Sequence, residues 1–403
     1  MPHPLPTEAE PGGRAERLPD RVRLVVLFGG RSAEHDISCI SASHVLAAAD
    51  PGRYEVVPIG ITREGRFVEA RPDGQLAASG PGTSLQEVLG PHAGSPGAVG
   101  VDRGDGNGDG ERRVMPTPTV VLPVLHGPNG EDGTIQGMLE VLDTPYVGAG
   151  VLASAVAMDK DMAKTVMHAK GIPQTRWRTL CRHRRPSPSE LGSLLEELGP
   201  IVYVKPANMG SSIGVTRVDS ASAGADHVDG TTGDAGVNAL GAALDEALRY
   251  DDVVVVEAGV QGRELECAVL GNDAPQASVL GEVLTDAEFY DYGDKYFNGT
   301  ARTAIPAELD EATMRTGREL AVRTFEALRC SGMARVDMFL TDGGEFLVNE
   351  VNTIPGFTPI SMYPKLWEAS GLPYGALVDE LVALALESHG RRSAHSTVPG
   401  DAH

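Results

Sequence analysis

The chain has 403 residues, 41% of them hydrophobic and 22% charged, an ordinary globular composition with length for two or three domains and buried cores. Its formal net charge of −22 argues against a polyanionic partner such as a nucleic acid, because the one basic cluster, His183 to Pro186 (HRRP), is too short to reverse that field. Small anionic ligands stay compatible, since a few positioned cations suffice for them.

Residues 1–20 read as a disordered lead. They lack the apolar core of a signal peptide, and no later run approaches the roughly 18 apolar residues of a membrane span, so a cytosolic protein without membrane contact is expected. RLVVLFGG (23–30) is a buried-strand run, followed by a helix over about 34–49 that Ser32 could cap and Asp50-Pro51-Gly52 ends. YEVVPIGI (54–61) completes a βαβ opening, and TVVLPVLHG (119–127) is a further buried strand running into a glycine loop. Between them, residues 91–113 are too rich in Gly and Asp to pack. Asp105, Asn107, Asp109 and Gly110 match the start of a calcium loop, but Pro116 stands where the bidentate Glu belongs, so a surface insertion is the better reading.

SAVAMDKDMAKTVMHAKG (154–171) has the period of one amphipathic helix closed by Gly171. IVYVKPANMGSSIGVTRV (201–218) reads as strand, glycine-serine loop, strand. A second polar insertion over 219–241 precedes a helix and the strand DVVVVE (252–257). Alternating elements then run to about residue 388, before a tail over 389–403. The cysteines, Cys39, Cys181, Cys267 and Cys330, show neither CxxC spacing nor a His cluster and read as free thiols. The fold class expected is α/β (α+β), opening with a parallel sheet.

ARVDMFLTDGGEFLVNEVN (334–352) carries a hairpin signal, with Gly343 and Gly344 as a two-residue turn. That turn places Asp337 opposite Glu350 and Arg335 opposite Asn352 on one face, with Val336, Met338, Leu340, Leu347 and Val351 on the core face. Opposed carboxylates repel unless something sits between them. Asp337, Glu350 and Asn352 offer hard oxygens that suit Mg²⁺; the competing reading is a solvated face on which Arg335 neutralises the acids.

KPANMGSSIGV (205–215) supplies a strand-end lysine, Ser211, Ser212 and loop amides, the parts of a phosphate cradle, although such a loop by itself is more often a plain turn. It is not a P-loop, and FGGRSAEHD lacks the GxGxxG of a dinucleotide fold. A phosphate loop and a metal hairpin in one chain point together to a Mg-nucleotide site.

SAEHDIS (32–38), HGPNGEDGTIQG (126–137), MDKDMAK (158–164), KPANMGSSIGV, FYDYGDKY (289–296), RVDMFL (335–340) and NEVNTIPGFTPIS (349–361) together resemble the D-alanine–D-alanine ligases of the ATP-grasp superfamily, in family order across about 23–388. The resemblance implies a three-domain ATP-grasp fold: an N-terminal substrate domain over 21–148, a central subdomain over 149–257 and a C-terminal subdomain over 258–388. It implies ATP, two Mg²⁺ ions with Mn²⁺ able to substitute, D-alanine as substrate, a homodimer, and a place in peptidoglycan precursor synthesis. A first D-alanine is phosphorylated on its carboxylate and attacked by the amine of a second. Joining two anionic reactants asks mainly for positioning and charge neutralisation.

By motif position, Lys160 and Lys205 hold the ATP phosphates, Glu257 with the backbone of Ala258 and Val260 forms the adenine slot, and Glu264 meets the ribose. The adenine strand ends EAGV, where many relatives carry Lys after Glu, so that contact is left to the backbone. Asp337, Glu350 and Asn352 match the metal ligands. Arg335 and the Gly356 N–H match the oxyanion donors, Glu34 the ammonium site, His126 the surroundings of the first carboxylate, and Ser361 the anchor of the second. Only six of the chain's 34 basic residues are lysines, and three of them (Lys160, Lys205, Lys295) fall at family positions.

Aromatics are 5% of the chain, yet EFYDYGDKYFNGTART (288–303) gathers three tyrosines around Lys295. The resemblance makes this the lid over ATP and substrates, with Lys295 on the transferring phosphate and Tyr296 bonded to Ser211 and through it to Glu34. Ligases that prefer a hydroxy-acid acceptor tend to lack this tyrosine, so its presence favours D-alanyl-D-alanine over the rival D-alanine–D-lactate product of the vancomycin-resistance type. A nicotinamide oxidoreductase is disfavoured by the missing GxGxxG, and a silent nucleotide-binding protein by the complete set of lysines and metal ligands.

Overall fold

The computed structural model describes residues 13–71, 73–76, 82–89, 117–221, 232–284 and 302–395. The calcium-like pattern, the 91–113 insertion, and Lys295 and Tyr296 of the aromatic loop lie outside the described residues.

The first sheet forms from Val22–Gly29 (β1), Tyr54–Ile61 (β2), Phe67–Glu69 (β3) and Thr119–Val124 (β4), in the order β3-β2-β1-β4. β1 runs parallel to β2 and β4, with Val25 between Val57 and Val121. A parallel strand is covered on both faces, which is why β1 is an unbroken apolar run rather than an alternating one. His35–Ala48 (α1) supplies Ala42 and Val45 to one side. After the short helix Leu85–Leu89 (α2), Thr134–Val141 (α3) supplies Ile135 and Leu139 to the other.

The middle of the chain comprises Val151–Met158 (α4), Lys160–Ala169 (α5), Trp177–Cys181 (β5), Pro188–Leu198 (α6), Ile201–Pro206 (β6), Thr216–Asp219 (β7), Thr232–Ala247 (α7) and Val253–Ala258 (β8). Its sheet has the antiparallel order β5-β8-β6-β7 and packs against α6 and α7 through Leu194, Leu198, Leu240 and Leu244. The last part comprises Gly262–Gly271 (β9), Gln276–Leu284 (β10), Arg302–Ala304 (β11), Glu311–Ala327 (α8), Gly332–Thr341 (β12), Phe346–Asn352 (β13), Met362–Ala369 (α9) and Tyr374–Ser393 (α10). Its sheet runs β11-β10-β9-β12-β13, with α8 behind it through Leu320 and Phe325. Trp367, Leu377 and Leu381 of α9 and α10 share one core with Leu24 and Phe28 of β1. Among the described residues, no single helix is long and apolar enough to cross a membrane.

Several elements depart from the sequence reading. The helix expected over 154–171 is two, broken at Asp159, whose carboxylate accepts the N–H groups of Asp161 and Met162 at 3.0 Å and starts α5. Ser32 is not the cap of α1; its hydroxyl accepts the Glu34 N–H at 3.0 Å, and Glu34 is the N-cap. α7 begins at Thr232, inside the stretch expected as a loop. α10 continues to Ser393, into the expected tail, with His389 Nε2 on the Asp143 carbonyl at 3.1 Å. The lead contains a helical turn over Ala15–Arg17, and the N–H groups of Arg14 and Ala15 donate to buried Glu380 at 2.8 and 2.9 Å.

The hairpin of β12 and β13 differs twice, and the two differences cancel. The turn holds Asp342, Gly343 and Gly344, one residue more than expected, closed by the Gly344 N–H on the Thr341 carbonyl at 2.9 Å. Asn349 then bulges out of β13, so that Met338 pairs with Val348 while Asp337 pairs with Glu350. Asp337 thus opposes Glu350, and Arg335 opposes Asn352, as read from the sequence. The core face beyond the bulge changes hands: Phe346 and Val348 are buried where Leu347 was expected. The bulge coincides with Val348 turning its N–H to the Pro173 carbonyl at 2.9 Å.

Candidate active site

A cleft of about 670 Å³ opens between the central and C-terminal sheets. Lys160, Lys205, Ser211, Glu257, Ala258, Val260, Glu264 and Glu350 all line it. Each is delivered by an element boundary or a strand face. Lys160 is the first residue of α5, and its ammonium donates to the Met209 carbonyl at 2.5 Å, tying the helix start to the glycine loop. Lys205 on β6 lies diagonally across from Glu257 on β8, because Tyr203 is the residue opposite Glu257.

Glu257 is buried between two cations. Lys205 Nζ donates to it at 3.1 Å and Lys164 Nζ stands 3.5 Å away, while Lys164 also donates to Thr175 Oγ1 at 2.9 Å. Burial works against the Glu257 charge, but Lys164 and Lys205 more than offset it and hold the carboxyl at about 2. Lys164 is 1% exposed, and its desolvation outweighs the attraction of Glu257, so its ammonium lies below the ordinary lysine value. Lys205 is also desolvated, yet Glu257 and Glu350 together raise it. An acceptor-only carboxylate beside a lysine donor suits a ligand edge that carries both an N–H and a ring nitrogen.

With Glu350, three carboxylates stand in register across three strands: Glu266 on β9, Asp337 on β12 and Glu350 on β13. Arg335 sits among them, with Nε and a terminal nitrogen each 2.7 Å from Asp337 and Nε 2.9 Å from Glu266. Burial disfavours its charge, but Asp337 and Glu266 more than offset that, and the guanidinium pKa is raised. The Asn352 amide nitrogen donates to Asp337 at 3.0 Å; the two ends of an amide exchange by rotation, so its oxygen can take that place. Carboxylate and amide oxygens are the donors a hard divalent cation prefers. The set at Asp337, Glu350 and Asn352 therefore fits Mg²⁺. Among the described residues no three His, Cys, Asp or Glu side chains group as candidate metal ligands.

Ser211 joins this cleft to a second, buried group. Its hydroxyl donates to Glu34 Oε1 in a short hydrogen bond. Glu34 Oε2 packs so closely on two loops that a Cβ at Gly127 or Gly210 would come within 2.9 or 3.0 Å of it. Ser211 has φ of 52°, the left-handed region that costs a serine about 1–2 kcal/mol, which marks this loop as held against its preference.

Behind Glu34 lies the loop after β4. His126 is buried, its Nδ1 3.1 Å from the Ile354 carbonyl and its Nε2 3.5 Å from Ser41 Oγ. A carbonyl partner assigns the proton to Nδ1, and desolvation lowers the ring's pKa, so it is neutral. Glu131 accepts the Gly127 N–H at 2.7 Å and the Ile354 N–H at 3.3 Å. Burial, then the Glu34 charge, push it up to about 8. Gly356 follows two residues on, and Ser361 Oγ stands 3.0 Å from where its Cβ would be. That hydroxyl is held 2.8 Å from Thr358 Oγ1 and accepts the Thr358 N–H at 3.1 Å.

Among the expected residues that the structure describes, Lys160, Lys205, Glu257, Ala258, Val260, Glu264 and Glu350 meet in one cleft, and Arg335, Asp337 and Asn352 adjoin it. Glu34 connects through Ser211, whereas His126, Gly356 and Ser361 belong to the loops behind. The sequence reading missed Glu131, Lys164 and Glu266. Lys164 carried a signal, as a further member of a rare residue type inside MDKDMAK, and Glu266 shared the alternation of Glu264 in GRELECAVL. Glu131 lay unremarked inside HGPNGEDGT.

Residues 23–149 match the family described as D-ala D-ala ligase N-terminus, and residues 166–383 match D-ala D-ala ligase C-terminus. A D-alanine--D-alanine ligase of Paenarthrobacter aurescens (strain TC1) is 43% identical over 388 residues, spanning 91% of this chain and 95% of that protein. The solved D-alanine-D-alanine ligase from Coxiella burnetii superposes with a TM-score of 0.75 at 36% identity, covering 93% of this chain and 97% of that one. The VanG D-Ala:D-Ser ligase from Enterococcus faecalis superposes with a TM-score of 0.70 at 32% identity, covering 91% and 99%. With both halves matched and the fold shared over most of the chain, the chain belongs to the D-alanine–D-alanine ligase family.

Proposed function

We propose that the chain is an ADP-forming ligase that joins two D-alanines into D-alanyl-D-alanine for peptidoglycan precursor synthesis, by way of an acyl phosphate. The observation that carries this reading is continuity: the lysine-rich cleft that suits ATP leads through Ser211 directly to the buried carboxylate of Glu34. Phosphate-binding cations and an acid able to take a substrate ammonium thus stand one hydroxyl apart.

In this reading Lys160, Lys205 and Lys295 hold the phosphates, Glu257 with the Ala258 and Val260 backbone receives the adenine, and Glu264 the ribose. Glu34 grips the ammonium of the first D-alanine and turns its carboxylate toward the γ-phosphoryl. His126 walls that pocket, its ring oriented by Ile354 and Ser41. Asp337, Glu350 and Asn352 would hold two Mg²⁺ ions, for which Mn²⁺ could substitute, and the metal would supply charge neutralisation between phosphate and carboxylate. Arg335 and the Gly356 N–H offset the charge that grows on the carbonyl oxygen as the second amine attacks. Ser361 anchors the second carboxylate, and Tyr296 closes the lid onto Ser211, shutting out water that would hydrolyse the acyl phosphate. We further propose the three units 21–148, 149–257 and 258–388, and a cytoplasmic homodimer on the family's pattern, to be checked by sedimentation.

The test is phosphate release with ATP and D-alanine alone, against D-alanine with D-lactate or D-serine, from mildly acid to mildly alkaline pH. Dipeptide as the main product at neutral pH supports the reading; a dominant depsipeptide or D-alanyl-D-serine overturns the acceptor assignment.

A further inference from the structure

The loop that carries Gly356 is held from a part of the chain far from it in sequence. The Ile354 N–H donates to Glu131 Oε1, and the Ile354 carbonyl accepts from His126 Nδ1. Those two groups belong to different peptide units, the one before Ile354 and the one after it. Both planes are thereby fixed by residues of the loop after β4, with Glu131 and Ile354 223 positions apart in sequence. The Ile354 side chain is 3% exposed within the shared core, so the residue is held at a third point.

Pro355 follows. Its ring fixes φ and confines Ile354 to extended conformations, so one soft torsion, the ψ of Pro355, remains between the held peptide and the Gly356 N–H. Glu131 is itself aimed by the Gly127 N–H, in the loop that packs on Glu34. One carboxyl group therefore ties the loop that packs on Glu34 to the loop of the oxyanion donor.

We propose that Glu131 is a positioning residue which, with His126, clamps the Ile354 peptide and so aims the Gly356 N–H at the reacting carbonyl oxygen. The inference rests on the ligase reading above, which assigns Gly356 its role. In the oxyanion site the cost of misplacement is steep: a shift of about 1 Å can cost about 100-fold in rate. Glu131→Gln keeps the shape but turns an amide donor toward one of the two N–H groups, which loosens the clamp without emptying the site.

The experiment measures Glu131→Gln beside the wild-type chain, by steady-state kinetics and by inhibition with a phosphinate analogue of the dipeptide, a tetrahedral mimic of the attacked carbonyl. The expected result is a kcat lowered at least about 10-fold, a phosphinate Ki raised by about the same factor, and a KM for ATP within about 2-fold of wild type. A purely structural role would lower Tm and leave both kcat and the phosphinate Ki per folded molecule in place. That result, in a wild-type background that makes dipeptide, overturns the clamp alone. A wild-type chain that makes no dipeptide overturns the ligase reading and the clamp with it. If Glu131→Gln does not accumulate as folded protein, Glu131→Asp, which keeps the carboxyl group and shortens the reach, is read against the same two outcomes.

Discussion

Glu257 and Lys164 show how one residue's worth depends on partners that sequence spacing does not reveal. Lys164→Met leaves a buried carboxylate with Lys205 as its nearer remaining cation, and breaking such a pair costs about 3–5 kcal/mol. Thermal melts should register that loss, and the KM for ATP should rise because Lys205 is drawn further onto Glu257. The pH dependence has a definite sign. The Glu257 carboxyl is depressed from 4.5 to about 2, so its contribution is complete above 4.5 and fades as pH falls toward 2. The stability gap between wild type and Glu257→Gln should therefore close across that window, as read by acid unfolding. Glu350→Gln, which removes a proposed bridging metal ligand, should lower turnover by orders of magnitude, with near-normal activity counting against the metal role. The individual lysines and acids of the nucleotide set were legible because they sit in compact motifs. Lys164 and Glu131 were not, since what they do is set by Thr175, Glu257 and Ile354.

The break between α4 and α5 shows the same limit for an element. Ala153 and Ala157 before it and Ala163 and Met167 after it fall in one core cluster, so the apolar period runs through the interruption and conceals it. The cap was nevertheless written in the chain, as an Asp directly before Lys-Asp. Asp159→Ala should cost about 1–2 kcal/mol through the lost cap. It should also raise the KM for ATP, since α5 would no longer hold Lys160 at its first turn. A stability loss with an unchanged KM would separate the cap from the phosphate site. The hairpin teaches the converse: the facing acids were readable from a turn that proved one residue longer, because the bulge at Asn349 restores their register. Periodicity alone does not count such a residue, whose placement depends on Pro173.

For the molecule as a whole, the strand-helix alternation and the opening parallel sheet followed from apolar runs and glycine breaks. A three-part division was implied only by the family resemblance, and the way the sheets share cores followed from neither. Glu380 is 1% exposed and receives two N–H groups from the lead. Removing residues 1–20 should therefore destabilise the chain by about 1–3 kcal/mol, the cost of stripping partners from a buried acid. Glu380→Gln in the shortened chain should recover part of that loss in Tm, and no recovery would assign the loss to packing instead. The core that β1 shares with α9 and α10 has a temporal meaning as well. During synthesis the first sheet emerges long before the two helices that cover its Leu24 and Phe28 face. The nascent chain must carry that apolar surface open until α9 and α10 have been made, so here the order of synthesis is not the order in which the first core can close.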